Sequence, residues 1–297
     1  MDNDRGGGSD TPPTPHPREP DEGRGGAPTL PATARLPLNR CSLPAVILGS
    51  LTYQRHPVSL ELDGVRAFHR DLFALLDPIA RHADRAERFV DYMTLHFCLA
   101  DLEEAGLAPG RRKGKRVNAN YLRMVRGWSF DSDGREGAVL KHWVETRFGL
   151  LARHHAGPLH GRGSEAYQTY LAEAAAGIYA TNALEAQLDL LYTYGQYELA
   201  RQNPGLTHVR LYRGINRLGE HEVLGREPDG TELVLLNNLS SFTSERERAD
   251  EFGDYVLSAQ VPLPKIFFYN RLLPGLLEGE DEYVVIGGVY GVEIQTY

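Results

Sequence analysis

Apolar residues in this chain recur first at helical and then at strand spacing, and the period changes at Asn203-Pro204-Gly205. Before that turn, Val65, Phe68, Leu72, Leu75 and Leu76 fall on one helical stripe and predict a helix over 65–76. Phe89, Met93, Phe97 and Leu102 predict a second over 85–102. The same spacing predicts helices over 121–128, 138–150, 165–179 and 181–200, the last carrying a stripe of Leu184, Leu188, Leu191 and Tyr192. After the turn, strand periodicity covers 209–212, 233–236, 255–261, 266–269 and 283–294, interrupted by one short helix over 246–252. Helices followed by strands indicate an α+β fold rather than a doubly wound parallel sheet. The expected organisation is a mainly helical part, 39–203, packed on a β-rich part, 204–297, with no internal repeat.

Residues 1–38 are rich in Gly, Pro, Asp and Thr and poor in large apolar groups. Such a segment cannot bury enough surface to offset its ordering entropy, so it is expected to be a disordered tail, with the folded part starting at Asn39. The chain of 297 residues is 41% hydrophobic and 24% charged, an ordinary soluble composition. Its net charge of −8 argues against a general nucleic-acid binder. Cys41 and Cys98 are the two cysteines, without CxxC spacing, which fits a reducing cytoplasm. No apolar run is long enough for a transmembrane helix, and the opening MDNDRGGGSDTPPTP has no apolar signal core.

Three features of the β-rich part can carry chemistry. Arg213-Gly214 ends the first strand pattern, where a guanidinium fork can hold a phosphate and glycine permits close backbone approach. Read alone, Arg213 is better taken as a solvated strand-end arginine. Ser240-Ser241-Phe242-Thr243-Ser244 groups hydroxyls that can hold a ribose or a diphosphate. Ser244 with Glu247 also has capping-box spacing, which leaves Ser241 and Thr243 to face a cleft. Glu280 and Glu282 precede the last strand pattern, and positions two apart in a strand share a face. Taken alone, they also fit a solvated acidic turn with Glu278 and Asp281.

The order arginine, Ser-x-Ser/Thr, Glu-x-Glu resembles the Arg-Ser-Glu class of mono-ADP-ribosyltransferases, with Ser241-Phe242-Thr243 at the middle motif and Ala249 and Phe252 in the helix after it. Ser244 takes that place if the register differs. A wider resemblance runs from about Asn39 to the end. It is carried by Asn39-Arg40-Cys41, by Leu48-Gly49-Ser50-Leu51-Thr52, by the stretch Gly127-Trp128-Ser129-Phe130-Asp131-Ser132-Asp133-Gly134, by Thr181-Asn182-Ala183-Leu184-Glu185, by Leu235-Leu236-Asn237-Asn238-Leu239, and by Glu280-Asp281-Glu282-Tyr283. In these words the chain is similar to the NAD⁺–dinitrogenase-reductase ADP-ribosyltransferase family of nitrogen-fixing bacteria.

That resemblance implies an antiparallel or mixed β-sandwich of the ADP-ribosyltransferase type, NAD⁺ as substrate, and an arginine of dinitrogenase reductase (the nitrogenase iron protein) as acceptor, reversibly inactivating nitrogenase. It implies Glu282 as the carboxylate beside the ribose and Glu280 as the group that orients the incoming arginine. It further implies that Arg213, with Gly214, binds a phosphate or the nicotinamide-side ribose, and that Ser241 orients Glu282 with Thr243 beside it. Regulation by a PII signalling protein is part of the same implication. An NAD⁺ glycohydrolase and a non-catalytic NAD-binding regulatory protein are the alternative readings.

Other signals carry less. Phe242, Phe252, Phe267, Phe268 and Tyr269 include candidates for stacking on nicotinamide or adenine, but each also fits a core. The loop over 270–279 is expected to contact the protein acceptor. The basic run 111–116 is expected to be a solvated loop or a docking patch. Asp131-Ser132-Asp133-Gly134 opens like a calcium loop but has His142 at the twelfth position, and His154, His155 and His160 form no metal pattern, so no metal is expected.

Overall fold

The computed structural model describes residues 29–99, 120–178, 183–216, 221–277 and 281–296. Most of the N-terminal tail, Leu102, the basic run 111–116, Glu278 and Glu280 lie outside the described residues. Helices come first: α1 (Ala45–Leu48), α2 (Leu51–Arg55), α3 (Val65–Phe68), α4 (Arg70–Leu76), α5 (His82–His96), α6 (Tyr121–Phe130), α7 (Arg135–Phe148), α8 (Glu165–Ile178) and α9 (Leu184–Gln202). Strands follow: β1 (His208–Ile215), β2 (Glu222–Arg226), β3 (Glu232–Thr243), β4 (Tyr255–Pro262), β5 (Ile266–Tyr269) and β6 (Glu282–Thr296), with α10 (Arg246–Asp250) between β3 and β4. The molecule is therefore α+β, helices before strands.

Two of the boundaries that differ from those expected have a plain physical cause. Packing begins before Asn39: Leu30 and Ala34 are buried, Arg35 bridges Leu150, and Leu36 N–H donates to Gly149 C=O at 2.8 Å. Composition misled there because single small apolar residues suffice when a neighbour leaves room, as Gly49 does beside Leu30. The helix expected over 65–76 is two helices, parted at His69. The His69 ring is buried with Nδ1 2.9 Å from Tyr92 Oη, and the break turns Phe68 and Leu75 out to solvent.

Helix α9 is the central post of the helical part. Its Leu184, Leu188, Leu190, Leu191, Tyr192 and Tyr194 are all buried, so it packs on every side. Polar side chains on such a helix need internal partners. Glu198 accepts two hydrogen bonds from Arg85, Nε and Nη2 each at 2.6 Å, while Arg85 Nη1 donates to Ile79 and Ala80 C=O. Asp189 accepts from Arg147 and from Trp143 Nε1 at 2.7 Å. On the sheet side, Gln196 Nε2 donates to Ile266 C=O at 2.8 Å, and Tyr192 Oη donates to Pro264 C=O at 2.8 Å.

All strand pairings are antiparallel and join the six strands in one sheet, β2-β3-β1-β4-β6-β5, with an added β3–β6 ladder. The sheet thus curls back on itself through β3–β6–β4–β1, and the sandwich expected from the sequence is one folded-over sheet. The ring closes between β1 and β3 through the single register pair Tyr212↔Thr243. The sequence reading did not predict β2, a short, half-exposed edge strand without clean alternation.

The β3–β6 ladder shifts register between Leu236 and Leu239. Across from that bulge sits Gly287, where a Cβ would lie 1.8 Å from Asn237 C=O, so only glycine fits. The bulge turns two amides toward the helical part. Asn237 Oδ1 accepts from Arg153 N–H at 2.9 Å, and Asn238 Nδ2 donates to Lys141 C=O at 2.8 Å and Leu150 C=O at 3.1 Å.

Replacing Arg85 by Met should strand Glu198 as a buried charge and lower unfolding stability by about 3–5 kcal/mol, read from urea titration. An Arg85→Met/Glu198→Leu double variant should recover part of that loss, because no charge then remains buried. A single-variant loss below about 1 kcal/mol would mean that the pair behaves like a surface ion pair.

Candidate active site

The β3–β6 register explains which side chains can meet. Thr243 stands opposite Glu282 and Ser241 opposite Val284, so Ser241, Thr243 and Glu282 share one face. Glu282 and Ser241 are diagonal neighbours, a separation that a long side chain spans. Ser241 Oγ donates to Glu282 Oε1 at 2.6 Å. On the far side of the ring closure, β1 brings Arg213, whose Nη1 donates to Ser241 C=O at 2.7 Å. The three motif residues expected to act together, Arg213, Ser241 and Glu282, are therefore in one cluster.

Among the described residues, one cleft of about 590 Å³ and one of about 660 Å³ occur, and that of 660 Å³ opens over this cluster. Arg213, Gly214, Ser241, Thr243, Arg248, Phe252 and Glu282 line it. The other, between α3 and α9, holds none of these groups.

Helix α6 supplies side chains for which the sequence reading had no role. Trp128 Nε1 donates to Ser241 Oγ at 2.9 Å, so Ser241 accepts on one side and donates to the carboxylate on the other. Ser129 Oγ donates to Glu282 Oε2 at 2.6 Å. Phe130, which ends the helix, lines the cleft and is 94% exposed. The words Trp128-Ser129-Phe130 were part of the family resemblance, but helical periodicity says nothing about a contact across 153 positions of sequence. Behind Trp128 lies Lys141, its Nζ 5.8 Å from the indole centroid. Burial pushes the Lys141 pKa down, opposed by the Asp133 carboxylate at 2.6 Å. Asp133 is thereby committed to an ion pair. His155 lies between Lys141 and Glu173, 3.2 Å and 2.9 Å away, and no group of side chains suited to a metal occurs among the described residues.

Several expectations change here. Ser244 does not cap α10: the residue before the helix is Glu245, and its N–H is accepted by Thr243 Oγ1 at 3.1 Å. The register of β3 puts Thr243, not Ser244, within reach. Gly214 lines the cleft, but its missing Cβ makes room for protein: a Cβ would sit 2.1 Å from Ala249 C=O and 3.0 Å from Phe252. Phe242, Phe267, Phe268 and Tyr269 are buried in the core, whereas Phe252 is 61% exposed at the cleft. The same-face argument for the two glutamates falls on Glu280, which lies outside the described residues; strand β6 begins at Glu282, directly after Asp281 at a left-handed φ of 50°. Arg126 Nη2 donates to Leu276 C=O at 3.0 Å, and Arg271 pairs with Asp281 at 2.7 Å.

Comparison with known proteins bears on the whole chain. The family model described as dinitrogenase reductase ADP-ribosyltransferase matches residues 38–294. A protein of Rhodospirillum rubrum named NAD(+)--dinitrogen-reductase ADP-D-ribosyltransferase is 40% identical over 258 residues, covering 86% of this chain and 93% of that one. No solved structure matches the chain.

Gly214→Ala should force α10 away from β1 and destabilise the protein by about 1–3 kcal/mol. Thermal unfolding checks this; a melting temperature equal to that of the unsubstituted protein would show that α10 yields without cost.

Proposed function

Since the chain belongs to the dinitrogenase reductase ADP-ribosyltransferase family, we propose that Glu282 is the carboxylate with which it transfers ADP-ribose from NAD⁺ to an arginine of that protein. The observation that carries this reading is the Glu282 side chain, set in a cleft with one hydroxyl donor on each oxygen and the Arg213 guanidinium beside it. NAD⁺ supplies the ADP-ribosyl group and a nicotinamide leaving group. Cleavage of the glycosidic bond leaves positive charge on the ribose as nicotinamide departs with the bonding electrons, the charge pattern of glycoside cleavage. Glu282 places a fixed negative charge where that positive charge develops and retains lone pairs for the ribose 2′-hydroxyl. Because it is already oriented by the protein, little reorganisation accompanies the step.

Arg213 and Arg248 line the same cleft and fit an anionic diphosphate. The acceptor guanidinium is protonated at neutral pH and must lose a proton as its nitrogen bonds to the ribose carbon. In this reading Glu280 orients it and takes that proton. The folded-over antiparallel sheet is consistent with an ADP-ribosyltransferase-type core. Two unpaired cysteines and the absence of any described helix long and apolar enough to cross a membrane are consistent with a cytoplasmic enzyme. Control by a PII protein completes the reading drawn from the family resemblance.

Incubation with labelled NAD⁺ and purified nitrogenase iron protein tests the assignment. The chain should label the iron protein on arginine. Glu282→Gln should abolish labelling with an unchanged melting temperature, and Glu280→Gln should lose transfer but keep some NAD⁺ hydrolysis. Full labelling by Glu282→Gln would refute the role given to that carboxylate.

A further inference from the structure

We propose that Ser129 of helix α6 is a positioning residue for the catalytic carboxylate, so that the helical part takes part in the chemistry. The inference rests on the assignment of Glu282 above. Glu282 opens its strand directly after a left-handed residue, so only one side of it is held by regular structure. A glutamate side chain held at one oxygen keeps rotational freedom about its terminal torsion, and immobilising such a chain costs conformational entropy. Ser241 alone would leave the carboxylate plane undefined. Ser129 supplies the second point: its hydroxyl meets Oε2 at 2.6 Å, as Ser241 meets Oε1 at 2.6 Å. Both distances fall in the range of O–H···O⁻ bonds. The other acceptor near the Ser129 hydroxyl, Val125 C=O, is farther, at 3.4 Å.

Two donors on two oxygens fix the plane and leave a second lone-pair direction open on each oxygen. One can serve the ribose hydroxyl and the other the electrostatic field at the ribose carbon. Helix α6 is itself placed tightly. Gly127 faces Glu136 of α7, where a Cβ would lie 2.5 Å from its side chain, and Arg123 pairs with Glu136 at 3.0 Å. One residue before Ser129, Trp128 is buried and donates to Ser241. Consecutive residues of one helix therefore fix both hydroxyls that hold Glu282, Ser241 through its acceptor side and Ser129 directly.

The test compares Ser129→Ala, Ser129→Thr and Glu282→Gln in steady-state NAD⁺ hydrolysis and in labelling of the iron protein. Ser129 is exposed and alanine is the better helix former, so Ser129→Ala should keep the melting temperature. It should lower kcat in both assays by about 10- to 100-fold, with KM for NAD⁺ changed less than about threefold. Ser129→Thr, which keeps the hydroxyl, should restore most of kcat. A Ser129→Ala kcat within twofold of the parent, or a Thr variant as impaired as the Ala variant, would overturn the proposal. Activity in Glu282→Gln would instead overturn the assignment on which it rests.

Discussion

The antiparallel ladder between β3 and β6 is the constraint on which the site depends. Its register sets Ser241, Thr243 and Glu282 on one face before any side chain interacts. A slip of either strand by one residue would put Glu282 on the face opposite Ser241 and Thr243. The ladder is long, and the bulge between Leu236 and Leu239 acts as a pin within it, because Asn237 and Asn238 are bonded to Arg153, Lys141 and Leu150 of the helical part. Strand register and helix placement are thereby specified together. The same bulge requires Gly287, and the adjacent Gly288, at φ 126°, lets Val289 N–H reach Gly49 C=O at 2.8 Å.

Around that ladder the charged groups fall into two kinds. Arg85–Glu198 and Arg147–Asp189 join helices to one another and serve the frame. Arg213 and Glu282 face a cleft: Arg213 donates to the Ser241 carbonyl, and Glu282 accepts from the Ser241 and Ser129 hydroxyls. Hydroxyl donors orient a carboxylate without neutralising it.

The order of elements was legible in the sequence because period distinguishes helix from strand. The grouping of Arg213, Ser241 and Glu282 was expected from the order of motifs that the family resemblance supplies, since no short-range pattern joins positions so far apart. What was not legible depends on distant contacts or single backbone angles. Ser129 and Trp128 reach partners more than a hundred positions away, and their own helix pattern is silent about them. His69 breaks a stripe that looked like one helix, and a left-handed Asp281 directly precedes the strand that Glu282 opens. The word Leu235-Leu236-Asn237-Asn238-Leu239 read as the end of a strand because two amides follow two leucines; in the fold they are the bulge within it.

The ring of strands closes through one register pair, Tyr212↔Thr243, beside Arg213 and Ser241. One wall of the cleft belongs to the β1–β4 ladder, with eight residue pairs in register, and the other to β3–β6; the two are joined at the opposite side by β4–β6. Between the strands themselves, one rung and one guanidinium contact join the two walls, so the cleft lies along the seam where the sheet is least hydrogen-bonded, and Arg213 and Ser241 stand on either side of it.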